Sequence, residues 1–216
     1  MRTAKSLFRE SGFFLIPYSA FLLAAGTVLS LYSRREIHLF VNRHYSAAGD
    51  LLMPMFTWLG DGYSITVLVL LLFALNRRFA FFTGIACLGA SGVTQLLKHT
   101  LFYGDPRPML VFKPGELRLV PGIENDFFNT FPSGHSTVAF AFFFSLSLAF
   151  RNKWLKLLMF LFAATIAYSR IYLSQHFLGD VFAGSLIGTS VSFLLFTFAS
   201  GKKHVEIPII PKKNGE

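Results

Sequence analysis

Three short stretches of this chain gather side chains that do chemistry. The first runs from Lys98 through Asp105, Pro106 and Arg107 to Pro108. The second is Pro132-Ser133-Gly134-His135-Ser136, and the third runs from Ser169-Arg170 to His176 and Asp180. His176 and Asp180 stand four apart, so on a helix they share a face. A carboxylate beside an imidazole fixes the tautomer and stabilises positive charge on the ring. The other ring nitrogen is then a nucleophile or base. Taken alone, the pair is equally the pattern of an ion pair on a helix surface. Pro132 suits the first turn of a helix. Ser133 and Gly134 would then offer backbone N–H groups at its N-terminus, an anion site with no Cβ at Gly134 to obstruct approach. His135 would stand beside the anion, although an isolated tetrapeptide of this kind is also a plain helix cap. Arg107 offers a planar fork for phosphate oxygens, stiffened by Pro106 and Pro108. Lys98 closes an apolar stretch, where a lysine also simply snorkels. Cations, histidines and a helix N-terminus together suit a phosphate group. Carboxylates are too few and too scattered for a magnesium or calcium cage. The single cysteine, Cys87, excludes an internal disulfide and a Cys-rich metal site. No metal and no cofactor is expected.

The elements that must position these groups are apolar. Of 216 residues, 53% are hydrophobic and 14% charged, and 27 are Phe. Soluble domains carry about 25% charged residues. Six apolar segments can be read: Gly12 to Tyr32, Leu51 to Asn76, Phe79 to Leu97, Phe131 to Phe150, Leu155 to Ile171 and Val181 to Ser200. A spanning helix needs about 20 such residues. Asp61 is the one charge inside the second segment. The first segment follows Arg2, Lys5 and Arg9 as a signal peptide would, but its apolar stretch exceeds the usual length of about 7–15 residues. The expected fold is therefore all-α, a polytopic membrane protein of six transmembrane helices. Residues 1–200 form one domain and 201–216 a polar tail.

Six crossings put both termini on one side. That side, with the turns at 77–78 and 151–156, holds 12 of the 20 cations and 3 of the 11 acids. The other side is neutral overall. Positive loops mark the cytoplasm, so both termini are expected to be cytoplasmic. The loops 33–50, 98–130 and 169–180, with every chemical motif, then face outward. The net charge of +9 reads as membrane-facing cations rather than a nucleic-acid surface.

With these motifs in place the sequence resembles the type 2 phosphatidic acid phosphatase family, whose pattern is Lys-x6-Arg-Pro, Pro-Ser-Gly-His and Ser-Arg-x5-His-x3-Asp. The second and third motifs match residue for residue. In the first, eight residues rather than six separate Lys98 from Arg107. Two extra helical residues would turn Lys98 by about 200°, so it reaches the site only if they fall in the Phe102–Pro106 turn. The resemblance implies that His176 is the nucleophile, Asp180 its orienting carboxylate and His135 the general acid. It makes Arg107, Arg170, Ser133, Gly134 and Lys98 the groups that bind phosphate.

The activity implied is hydrolysis of a membrane lipid phosphate or diphosphate through phosphohistidine. For a bacterial inner-membrane member, the substrate would be undecaprenyl diphosphate, phosphatidylglycerophosphate or a lipid A phosphate. The partners are that lipid and the bilayer, with no nucleic acid. A lipid phosphotransferase would need the same residues. Vanadate-dependent halide oxidation shares similar motifs but belongs to soluble proteins. A transporter or assembly factor would not need the complete His/Asp/His set. The sequence leaves the particular lipid and the oligomeric state open.

Overall fold

The computed structural model describes residues 4–200, so the polar tail expected at 201–216 lies outside the described residues. Ten helices follow in order: α1 (Ala4–Glu10), α2 (Gly12–Leu31), α3 (Arg34–Arg43), α4 (Ala47–Leu59), α5 (Gly62–Leu75), α6 (Arg77–Thr100), α7 (Pro108–Val111), α8 (Gly134–Ser147), α9 (Lys153–Tyr172) and α10 (Leu178–Ser200). No strand occurs among the described residues.

Among the described residues, four helices are long and apolar enough to cross a membrane: α2, α6, α9 and α10. The chain is a multi-pass membrane protein. The apolar run Leu51–Asn76 is not one straight helix but the pair α4 and α5, bent by 58°. The break has a local cause. Gly60 ends α4, and the Asp61 carboxylate caps α5 by accepting from the Tyr63 N–H at 3.0 Å. Counted as one span, the bent pair brings the number to five.

The sixth apolar run, Phe131–Phe150, yields only the 14 helical residues of α8. At 1.5 Å per residue this is about 21 Å, short of the hydrocarbon thickness. Helix α8 packs against α6, α9 and α10, with α5 alongside. Ten of its residues are buried. A helix apolar on every face belongs inside a bundle. Its phenylalanines meet rings from neighbouring helices edge to face, as Phe144 on Phe14 at 5.3 Å, or stacked, as Phe143 on Phe162 at 5.6 Å, and Phe14 meets Phe160 of α9 at 5.7 Å. In lipid such contacts stabilise by dispersion and fit, because leaving the hydrocarbon brings no transfer gain. The outer helices present lipid-facing side chains, among them Ile16, Leu23, Leu70 and Leu88.

The α8–α10 contact is close enough to involve the backbone. A Cβ on Gly184 would meet the Ser133 carbonyl oxygen at 2.6 Å, and one on Gly188 would run into the Thr137 carbonyl. The two glycines form a G-x-x-x-G step, which lets helix backbones approach in a membrane. Ser133, one of the expected phosphate ligands, rests directly on this contact.

Candidate active site

The site gathers where α8 begins, α9 ends and α10 begins. The α9–α10 turn is short and tied to Arg170, whose carbonyl accepts from the N–H groups of both Gln175 and His176, at 2.9 and 3.1 Å. Ser174 takes a positive φ of 55° to make this turn. The result returns His176 beside Arg170. His176 is not on α10 but in the turn before it, so its pairing with Asp180 runs across a helix N-terminus rather than along one face. Asp180, at the third position of α10, accepts from the Phe177 N–H at 2.8 Å and faces His176 Nδ1 at 3.3 Å with the same Oδ2. Thr130 completes the arrangement by donating to Asp180 Oδ2 at 2.5 Å. His176 is 1% exposed. Burial, and then the cationic Arg170, Arg107 and Lys98, hold it well below the usual histidine range. The ring is therefore neutral at pH 7. With Nδ1 turned to Asp180, Nε2 carries the available lone pair.

The two guanidinium groups are joined by one amide. Gln175 Oε1 accepts from Arg107 Nη1 at 3.1 Å and lies 3.5 Å from Arg170 Nη2. Gln175 Nε2 donates to the Glu124 carbonyl and to Asn125 Oδ1. Arg107 also donates to the Phe128 carbonyl at 2.9 Å and forms an ion pair with the exposed Asp126 at 3.2 Å. Burial draws the Arg107 guanidinium below its ordinary range, but it stays protonated. Arg170 Nη1 donates to Thr57 at 2.5 Å, while its buried Nε has no partner in the protein. A buried cation with an open donor has capacity for an anion.

Lys98 is buried in the last turn of α6 and lies within electrostatic reach of Arg107, Arg170 and Asp180. Helix α6 continues only to Thr100, and the chain reverses over residues 101–105, with Gly104 at φ +76°. The extra two residues of the first motif are thus spread over the helix end and this turn. Ser133 is the N-cap of α8 and accepts from Ser136 Oγ at 3.0 Å. The space where a Gly134 Cβ would stand is open. His135 follows on the first turn of α8, with its Nε2 3.9 Å from Asp61 Oδ1.

All eight residues singled out by sequence therefore lie in one region at one end of the bundle. The sequence reading gave no role to Gln175, although it lies inside the third motif, or to Thr130, two residues before Pro132. It also passed over Thr57 and His38. A hydroxyl or amide in an apolar chain beside a motif was the available signal. His38 of α3 is buried against this turn, with Nε2 3.1 Å from Ser174 Oγ. No group of three or more His, Cys, Asp or Glu side chains suited to a metal occurs among the described residues.

A buried histidine–carboxylate pair beside clustered cations lies at one end of a bundle of membrane-type helices. Residues 79–203 match the model of the PAP2 superfamily, and the chain belongs to that superfamily. It is 27% identical over 163 residues to the undecaprenyl-diphosphatase BcrC of Bacillus subtilis, covering 72% of this chain and 78% of that one. It is also 27% identical over 177 residues to the lipid A 4'-phosphatase of Bacteroides thetaiotaomicron, covering 76% of each. The crystal structure of Aquifex aeolicus LpxE matches with a TM-score of 0.68 at 26% identity, over 78% of this chain and 98% of that one. A PAP2-type phosphatidylglycerolphosphate phosphatase from Bacillus subtilis shares the fold, with a TM-score of 0.59 at 21% identity over 92% and 99% of the two chains.

Proposed function

We propose that the protein is an integral membrane phosphatase that hydrolyses a lipid phosphate or diphosphate through a phosphohistidine. The reading rests above all on His176: a neutral, buried imidazole with Nδ1 turned to Asp180, beside two arginines held together by Gln175. In the first step the Nε2 lone pair of His176 attacks phosphorus. The bond from phosphorus to the lipid oxygen breaks, and that oxygen takes a proton from His135. In the second step water attacks phosphorus, the P–N bond breaks, and His135 takes the proton from water. Arg107, Arg170, Lys98, the Ser133 hydroxyl and the Gly134 N–H hold the equatorial oxygens as charge builds on them; the Ser133 N–H, expected from sequence to join them, is instead donated to the Asp180 carbonyl at 3.0 Å.

The relatives' substrates support a membrane lipid carrying phosphate, with undecaprenyl diphosphate, phosphatidylglycerophosphate and lipid A phosphate as candidates. The chain crosses the bacterial inner membrane six times if the bent α4–α5 pair and the enclosed α8 each count as one crossing. Both termini are then cytoplasmic and the site opens to the periplasm or exterior, in keeping with the charge asymmetry.

The test is phosphate release by the purified protein from each of these lipids, with acid-labile phosphoenzyme trapped in the same reactions. The expected result is release with phosphoenzyme that disappears in His176→Ala. Release that persists at near-normal rate in His176→Ala removes the covalent mechanism. Release only when a lipid acceptor is added makes the protein a transferase.

A further inference from the structure

Asp61 is the only charge within the apolar run Leu51–Asn76, and an ionisable group inside such a segment is by default a functional candidate. Its two oxygens have different partners. Oδ2 accepts from the Tyr63 N–H at 3.0 Å and so caps α5. Oδ1 points to His135 Nε2 at 3.9 Å, ion-pair distance rather than hydrogen-bond distance. The bend between α4 and α5 is what delivers it there. Gly60 is packed against Ile166 of α9, and a Cβ on Gly60 would lie 3.7 Å from His135 Cδ2. The same edge of the imidazole thus faces the α4–α5 corner. Asp180 is placed in a like manner, anchored by a backbone N–H at the start of α10 while facing His176.

We propose that Asp61 is the positioning carboxylate of His135, so that the acid and the nucleophile each have an anchored carboxylate of their own. The inference rests on the phosphatase reading above. His135 must carry a proton when the lipid oxygen leaves, yet Arg170, Arg107 and Lys98 surround it with positive charge. The Asp61 carboxylate offsets that field and holds Nε2–H. Nδ1–H is then the donor. As the P–O bond breaks, the leaving oxygen takes the Nδ1 proton, and the neutral ring keeps its proton on Nε2 beside Asp61. Water returns a proton to Nδ1 in the second step.

The experiment compares wild type, Asp61→Asn, His135→Ala and the double variant on a lipid monophosphate and on an aryl phosphate, whose phenolate leaves without help. Asn caps a helix as well as Asp, so Asp61→Asn removes charge and keeps the start of α5. Removing a positioned acid costs about 10²–10⁴-fold. Loss of its partner is expected to lower kcat on the lipid by at least about tenfold, with KM little changed and a much smaller loss on the aryl substrate. In the double variant, the loss should be no greater than in His135→Ala alone. An unchanged lipid rate in Asp61→Asn, an equal loss on both substrates, or additive losses would overturn the assignment while leaving the phosphatase reading intact. Wild-type protein that releases phosphate from neither substrate takes down both.

Discussion

Gln175 is the side chain on which the two arginines meet. Replacing it with Leu removes the acceptor shared by Arg107 and Arg170 and leaves two like charges without the group between them. Hydrogen bonds to charged groups contribute about 1.5–3 kcal/mol, so Gln175→Leu is expected to raise KM for a lipid phosphate by about tenfold or more. An unaltered KM would confine Gln175 to tying down residues 124 and 125. His38 gives a pH dependence of stability. It lies outside the spans, and burial pushes it down to about 4 from an ordinary value near 6.5. The unfolded chain therefore binds a proton between these values that the folded chain refuses. Stability is full above pH 6.5, falls by about 1.4 kcal/mol per unit as the pH drops towards 4, and levels off below. His176 acts in the same direction. The thermal midpoint of His38→Gln should decline less steeply over this window than that of wild type. Sequence singled out His176, His135 and the arginines because they stand at fixed spacings within short motifs. Gln175, Thr130 and Asp61 were not legible as site residues because a turn, a loop and a bent helix bring them in. None of those has a sequence period.

At the scale of elements, the contact between α8 and α10 is the joint on which the site depends. Gly184 and Gly188 leave no room for a methyl group, and the atoms in the way are backbone. Overpacking of this kind costs about 1–3 kcal/mol. Gly184→Ala and Gly188→Ala are expected to lower the thermal midpoint in detergent. Gly92→Ala, where nothing stands within 4 Å, should leave it unchanged or raise it. Gly184→Ala should also weaken phosphate binding, since it displaces Ser133. If all three variants behave alike, the close approach has no such role. The long helices were legible from length and hydropathy alone. The bend at Gly60–Asp61 and the shortness of α8 were not, because an apolar run looks the same whether it crosses lipid, folds back or hides inside a bundle.

The whole molecule has a polarity that can be measured. Among the described residues, the loops 33–50, 98–130 and 169–180 at the site end carry eight cations and seven acids, while residues 4–10, 77–78 and 151–156 at the other end carry seven cations and one acid. A single cysteine at Glu124, in a Cys87→Ala background, is expected to react with an impermeant thiol reagent from the periplasmic or exterior side. Labelling only from the cytoplasmic side would invert the topology and place the substrate in the other leaflet.

The family match begins at Phe79, two residues into α6. Helices α6 to α10 and their loops hold both histidines, Asp180, all the candidate phosphate ligands and Gln175. Helices α1 to α5 lie before it and supply much of the lipid-facing flank. Polar tethers cross this seam beside the candidate site, among them Thr57 on Arg170, Asp61 towards His135 and His38 on Ser174. Such a layout separates two kinds of evolutionary freedom. Under the proposed function, the front half can change the surface it offers to lipid without touching the reacting groups, provided the tethers at 57 and 61 travel with it. One phosphate chemistry can then be issued with many lipid addresses.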